Sequence, residues 1–177
     1  MQAELKKERI VDAFIVEIDQ EAPATRRLLE IVPDDKLDWR PHPKAMSLGT
    51  LAMHVAQTQG GVAEGTDEEF ISAPDFIHNE GKSRAEILAA FEEGTAKAKQ
   101  ILSNTSDEKA LGEWQIKDGE KVLMAMPRVA FWRMVMMNHL YHHRGQLSTY
   151  LRTLNIPLPS IYGPSADSNP MAELGKQ

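Results

Sequence analysis

The sequence predicts an all-α fold, a bundle of three or four amphipathic helices that forms one domain over residues 1–177. Apolar residues recur at helical spacing in several long segments, and the connections between these segments differ in length. The length of 177 residues is also typical of one domain. A chain of this size buries roughly 70% of the surface that its unfolded form exposes, so its core needs no cross-link.

The first predicted helix covers about Lys7–Val32, where isoleucine, leucine and phenylalanine recur at near-helical spacing. Pro23 lies inside it, so a kink or a break near Glu21–Ala22 is an open alternative. Pro33 ends the helix. Residues 37–44 contain two more prolines, which predict an extended connection.

Ser47 is a predicted N-cap for a second helix over Leu48–Gly60, and the Gly60-Gly61 pair predicts its end. The polar stretch Thr66–Gly81 is predicted to be a loop with at most a short turn.

Ser83 opens the third predicted helix, which fades near Asn104. Glu86 follows Ser83 by three residues, as in a capping box. The apolar pattern then changes over Trp114–Met124, where Asp118-Gly119 lies in a short polar loop. This pattern predicts a small two-stranded hairpin or an irregular loop before the last helix.

The last helix is predicted from about Pro127 to Leu154, because proline suits a first helical turn. Residues 155–177 are too rich in proline to stay helical and are predicted to be an extended C-terminal tail that lies over the bundle. The apolar stripe of the last helix is Trp132, Val135, Met136, His139, His143, Leu147 and Tyr150.

Composition excludes several functional classes. Twenty basic and 26 acidic residues give a net charge of −6 without a basic stripe, which argues against a nucleic-acid partner. No apolar run approaches the roughly 20 residues of a membrane span, and the charged start does not resemble a signal peptide, so a cytoplasmic location is expected. The absence of cysteine excludes a disulfide framework, a thiolate metal site and a cysteine nucleophile.

Two histidines on the last helix have the spacing of a metal-ligand pair. His139 and His143 are four residues apart, so their side chains lie about 40° apart, one turn above the other, in the apolar stripe. Two imidazoles in this arrangement can direct nitrogen atoms at one ion. His142 lies about 60° to the other side of His139 and is an alternative to His143, a group that supports a ligand, or a surface histidine.

A third ligand has to come from another helix. His54 is the best candidate, because it lies mid-helix in the apolar segment LAMHVA, whereas His42 and His78 lie in polar or proline-rich loops. The competing interpretation is that these histidines are hydrogen-bonded core residues. A buried imidazole without a partner is costly, so adjacent imidazoles favour a shared cation. The predicted metal ligands are His54, His139 and His143.

Five other residues near the pair have simpler interpretations. Gln146 faces the same side and either orients a ligand or a water molecule or makes a plain polar contact in the core. Arg144 points about 140° away from His139 and is predicted to be a solvated charge. The methionines at 134, 136 and 137 are predicted to be packing residues.

At these residues the sequence resembles the DinB/YfiT-like metalloenzyme family. SLGTLAMHVAQTQGG, at Ser47–Gly61, is similar to the family's second-helix motif with its single histidine, and LDWRPHPKAMSL, at Leu37–Leu48, also fits. NHLYHHRGQLSTYLRTLNIPLPSIYGPSAD, at Asn138–Asp167, resembles the family's H-x-x-x-H-R-G-Q-L helix with its proline-rich tail. Together these segments cover about a third of the chain.

The resemblance implies an antiparallel four-helix bundle of less usual connectivity, with His54, His139 and His143 at the positions of the family's three ligands. It also implies a homodimer and a divalent metal ion, zinc or nickel, with iron or manganese as further choices. Characterised relatives are thiol-dependent transferases and isomerases that use low-molecular-weight thiols.

Three functions follow as hypotheses. The first is a metal-dependent enzyme that activates a low-molecular-weight thiol to attack an electrophilic carbon of a small-molecule substrate. The second is metal-assisted hydrolysis through an activated water molecule, which needs a general base that no spacing identifies. The third is a non-catalytic bundle in which the ion ties two helices together. No catalytic residue and no thiol-binding residue can be named from the sequence.

Overall fold

The computed structural model describes residues 8–73 and 78–171, which form five longer helices, a three-residue 3-10 helix (Asp34–Lys36) and a three-stranded sheet. The longer helices are α1 (Ile10–Glu30), α2 (Leu48–Asp67), α3 (Arg84–Ser103), α4 (Asp107–Leu111) and α5. The helix α5 comprises an α-helical turn (Arg128–Phe131), a π-helical segment (Trp132–Asn138) and an α-helix (His139–Thr153), which follow without a break. The strands are β1 (Phe70–Ser72), β2 (Glu113–Asp118) and β3 (Lys121–Pro127).

The fold is therefore mostly helical, and the sheet makes it more than the all-α class that was predicted. The antiparallel four-helix arrangement, with its connectivity, stays a prediction. Lys7, the predicted start of the first helix, and the last six residues of the predicted tail, 172–177, lie outside the described residues. No helix in the described ranges combines the length and the apolar character that a membrane span needs.

The helix α1 continues through Pro23, so the alternative of a break at that point is wrong. Its apolar face, which includes Phe14, Ile18 and Leu28, is buried in the core. Packing of an apolar face supplies most of the stability of a helix in a protein, and here it offsets the one hydrogen bond that proline removes.

The helix α2 does not end at the Gly60-Gly61 pair, as predicted, but continues to Asp67. Gly60 lies where α2 crosses α3, and a Cβ atom built on it would be 2.6 Å from the Cα atom of Gly94. The glycine is therefore used for close approach of two helices and not for a turn. The predicted start is confirmed, since Ser47 Oγ accepts a hydrogen bond from the backbone N–H of Thr50 at 3.1 Å.

Replacing Gly60 by alanine should force α2 and α3 apart and lower the free energy of unfolding by about 1–3 kcal/mol. Gly61 is the matched control, because a Cβ atom at that position meets nothing within 4 Å. Gly61→Ala should stabilise the helix by up to about 1 kcal/mol. Urea unfolding of both variants checks the prediction, and equal effects would contradict the close crossing.

The helix α3 begins as predicted, with Ser83 Oγ accepting a hydrogen bond from the backbone N–H of Glu86 at 3.1 Å. The Glu86 carboxylate accepts from the N–H of Lys82 at 2.8 Å, one residue before the N-cap, so only half of the predicted capping box forms. The helix ends at Ser103, close to the predicted end.

The predicted hairpin is confirmed as the antiparallel pair β2 and β3, which turns at Gly119 with a φ of +56°. The strand β1 adds to it in parallel, with Phe70 beside Gln115. The strand β1 falls in the stretch that was predicted to be a loop. The sequence does not reveal it, because three residues are too few to show an alternating pattern.

The segment after α5 lies over the helices, as the sequence predicts for the tail. Ile156, Leu158 and Ile161 pack against a core cluster that includes Leu28, Leu51 and other buried residues of α1, α2, α3 and α5. The helix α5 itself ends at Thr153, one residue before the predicted end.

Candidate metal centre

The three predicted ligands meet between α2 and α5. His54 lies in the middle of α2, His139 is the first residue after the π-helical segment of α5, and His143 follows one turn later. The ring centroid of His54 lies 5.0 Å from that of His139 and 4.5 Å from that of His143, and the two rings of α5 are 4.3 Å apart. The i, i+4 spacing and the second helix therefore place three imidazoles around one point.

The ring nitrogens are close enough to serve one ion. One nitrogen of each of His54, His139 and His143 lies within 4.8 Å of the others, and no further histidine, aspartate or glutamate among the described residues joins the group. The Nε2 atoms of His139 and His143 are 2.9 Å apart. Three nitrogen donors, each reaching about 2.0–2.1 Å to an ion such as zinc, fit this spacing.

Hydrogen bonding orients one of the three rings. His143 Nδ1 lies 2.7 Å from Gln146 Oε1, and because an amide oxygen only accepts, the proton is on Nδ1. The Nε2 lone pair of His143 then faces the other two histidines. Of the two roles left open for Gln146, the contact in the structure is the one that orients a candidate ligand.

Two nitrogens of the group have no hydrogen-bond partner although they are buried. They are His54 Nε2 and His139 Nδ1. Buried polar atoms in proteins nearly always have a partner, and leaving one without costs about 1–3 kcal/mol. A bound cation would supply the missing partner of His54 Nε2, so the residues present fit a metal ion.

Electrostatics keeps the three rings neutral at pH 7. Burial, and then the neighbouring histidines, lower the pKa of His54 to about 4. Burial also lowers the pKa of His143 to about 4, against the opposing effect of its hydrogen bond to Gln146, and it lowers the pKa of His139. Neutral imidazole is the form that binds metals, so no proton has to be removed first.

The other histidines lie outside the group. His142 is exposed, with its ring centroid 4.9 Å from that of His143, and is not one of the three converging residues. His42 is exposed and accepts a hydrogen bond from the backbone N–H of Lys44. His78 was predicted to be a poorer ligand candidate because it lies in a loop, yet its ring centroid lies 4.9 Å from that of His54. No periodicity in a loop could have revealed this neighbour.

The prediction that Arg144 is a solvated charge is wrong. Its side chain is 2% exposed and makes an ion pair with Glu21 at 2.7 Å. It also donates to Thr25 Oγ1 at 3.0 Å and to the hydroxyl oxygen of Tyr162. Helical geometry correctly turns Arg144 away from the histidines, but that direction faces α1 and the C-terminal segment instead of solvent.

A cavity of about 480 Å³ opens beside the histidines. His54 and His139 form part of its wall together with residues of α2, the hairpin and α5. Met134, which was predicted to be a packing residue, is 42% exposed and lines this cavity. The cavity lies within the range of about 300–1,000 Å³ that is typical of small-molecule sites.

Together, the fold and the site define a mostly helical protein with three converging histidines at the edge of a small-molecule-sized cavity. The chain belongs to the DinB family, whose model matches residues 1–171. It is 27% identical over 157 residues to the uncharacterized protein YrdA of Bacillus subtilis strain 168, an alignment that covers 89% of this chain and 90% of that protein.

Two solved structures share the fold. A DinB-like protein from Bacillus cereus ATCC 10987 superposes with a TM-score of 0.66 at 22% identity, covering 85% of this chain and 97% of the other. The DinB-like protein YjoA from Bacillus subtilis gives a TM-score of 0.63 at 21% identity, covering 81% and 92% of the respective chains. The family model thereby confirms the membership of the DinB family that the histidine motifs indicated, and the metalloenzyme part of the resemblance stays a prediction.

Proposed function

We propose that this protein binds a divalent metal ion through His54, His139 and His143 and uses it to activate a low-molecular-weight thiol for transfer to an electrophilic small molecule. The observation that carries the proposal is the convergence of three neutral imidazoles, two of which have a buried nitrogen without a hydrogen-bond partner. Three protein ligands are also the number that catalytic zinc sites use, whereas structural sites use four.

The protein's own residues have defined roles in this proposal. The three histidines hold the ion, and Gln146 keeps His143 in the tautomer whose Nε2 lone pair is free. A divalent ion at this position would favour the deprotonated form of a thiol at neutral pH. The chain has no cysteine, so the thiol has to come from a small molecule.

Zinc and nickel are the proposed metals, with iron or manganese as further choices, and a homodimer in the cytoplasm is the proposed form of the protein. These assignments rest on the sequence resemblance. The hydrolytic alternative lacks support from the site, because no carboxylate among the described residues belongs to the histidine group. The structural alternative remains a defined competitor, since an ion at this point would tie α2 to α5.

Turnover of a chromogenic electrophile such as 1-chloro-2,4-dinitrobenzene tests the proposal. With glutathione or L-cysteine as the thiol, we expect turnover that needs both the thiol and the metal. His54→Ala should lower it more than about 100-fold, because even residues that only support a ligand cost 10–100-fold when they are replaced. His42→Ala is the control, since His42 is exposed and outside the group.

Each other outcome selects a competing function. Metal-dependent cleavage of activated esters without any thiol would replace the transferase proposal by hydrolysis. The structural role would be favoured by two results together. The metal-loaded wild-type protein would turn over no electrophile, and replacing one of the three histidines would lower only the melting temperature.

A further inference from the structure

We infer that the cavity beside the three histidines binds the uncharged, apolar body of the electrophilic substrate and not the thiol. This inference rests on the proposed function for the names of the two reactants. The binding chemistry itself, an apolar and uncharged ligand, follows from the walls of the cavity.

The walls of the cavity are mostly apolar. Among the described residues that line it, none is an aspartate, a glutamate, a lysine or an arginine. The hairpin contributes Ile116 and Met124, and α5 contributes Phe131, Met134 and Val135. The remaining lining residues come from α2, from α5 and from the loop before α3. They are His54, Gln57, Thr58, Gly61, Val62, His78 and His139.

Two of the polar lining residues already have hydrogen-bond partners. Thr58 Oγ1 donates to the backbone carbonyl of His54 at 2.6 Å. Gln57 Oε1 accepts a hydrogen bond from Asn79 Nδ2 at 2.9 Å. A ligand with charged groups would therefore lose water in this cavity without a matching ionic contact, which is costly. Glutathione and L-cysteine carry charged carboxylate and amino groups, so this apolar cavity does not suit them.

The shape of the cavity favours a small molecule. Residues of α2, the hairpin, α5 and the loop before α3 line its volume of about 480 Å³, and a small-molecule site of that size is ordinary. Two of the wall residues are methionines, whose flexible side chains adapt to ligands of different outline. Because His54 and His139 line the cavity, an electrophilic carbon of such a ligand would lie next to the proposed ion.

Direct binding of the neutral, apolar fluorophore N-phenyl-1-naphthylamine tests the inference on the full-length protein, both as purified and after metal removal with a chelator. We expect binding in both states. Within a series of straight-chain alcohols that displace the probe, each added methylene should strengthen binding about fourfold until the cavity is full.

Met134→Glu should weaken probe binding at least tenfold, because it places a charge in the apolar wall. Met171→Glu is the matched control, since Met171 is 79% exposed and does not line the cavity. In turnover, Met134→Glu should raise the KM for an apolar electrophile at least tenfold and leave the KM for the thiol within about twofold. Met134 is partly exposed, so an unchanged melting temperature should show that the variant folds.

Three results would overturn the inference. They are no probe binding by the wild-type protein, equal binding by the two methionine variants, and probe binding that disappears as protein concentration rises, which would mean that a second copy covers the cavity. Because the probe is also measured without metal, these results are separate from a failure of the metal proposal. Loss of metal binding alone would leave the cavity inference intact.

Discussion

Replacing Arg144 by alanine is expected to lower the free energy of unfolding by about 3 kcal/mol or more. The Arg144 side chain is 2% exposed and pairs with Glu21, whose side chain is 18% exposed. Removing one partner of a buried ion pair leaves the other charge without compensation, and such changes typically cost 3–5 kcal/mol. The change also removes the hydrogen bonds to Thr25 and Tyr162.

Arg152→Ala is the control for this prediction, because Arg152 lies on the same helix and makes an ion pair with Asp167 at the surface. Exposed pairs of this kind contribute little to stability, because water and salt screen them. Urea unfolding of both variants, followed by circular dichroism, provides the measurement. Similar losses for the two arginines would mean that the Arg144 pair is no more important than a surface contact.

Replacing His54 by alanine is expected to abolish metal-dependent stabilisation of the protein. A ligand that binds only the folded state stabilises it by RT ln(1 + [L]/Kd), or about 4 kcal/mol at a thousandfold excess over Kd. Wild-type protein stripped of metal should therefore gain melting temperature when zinc or nickel is added. His54→Ala should gain nothing, because His139 and His143 alone would leave the ion with two ligands from one helix.

His142→Ala is the matched control, since His142 adjoins His143 but does not belong to the converging group. It should keep the metal-dependent rise in melting temperature. A loss in His142→Ala equal to that in His54→Ala would restore the alternative in which His142 is a ligand.

Local signals in the sequence account for the parts of the fold that were predicted correctly. Ser47 and Ser83 mark the starts of α2 and α3, because an N-cap needs only its own side chain and the next turn of backbone. Gly119 marks the hairpin turn for the same kind of local reason. The convergence of His139 and His143 follows from their spacing on one helix.

The features that the sequence did not reveal depend on contacts between distant segments. The sequence predicts a helix end at Gly60, because nothing local indicates that Gly94 of α3 lies against it. The sequence likewise predicts a surface charge at Arg144, because nothing local indicates that Glu21 and Tyr162 face it. These partners are set by tertiary packing, which no local pattern encodes.

The site shows the same division. His54 could be chosen over His78 from its apolar setting, but the position of His78 beside it depends on how the loop before α3 runs. The π-helical segment that precedes His139 breaks the regular period assumed for the last helix, and it places Met134 and Val135 in the wall of the cavity. A uniform 100° step puts Val135 in the stripe of His139 but turns Met134 about 140° away from it.

Elemental analysis of the natively purified protein tests the metal centre most directly. Wild-type protein and the His142→Ala variant should each carry close to one equivalent of a divalent transition metal per chain. Almost no metal should be carried by His54→Ala, His139→Ala or His143→Ala, purified in parallel and shown by circular dichroism to be folded. A wild-type protein that neither contains such a metal nor takes up added zinc or nickel would contradict the proposal, as would triad variants that retain the full complement.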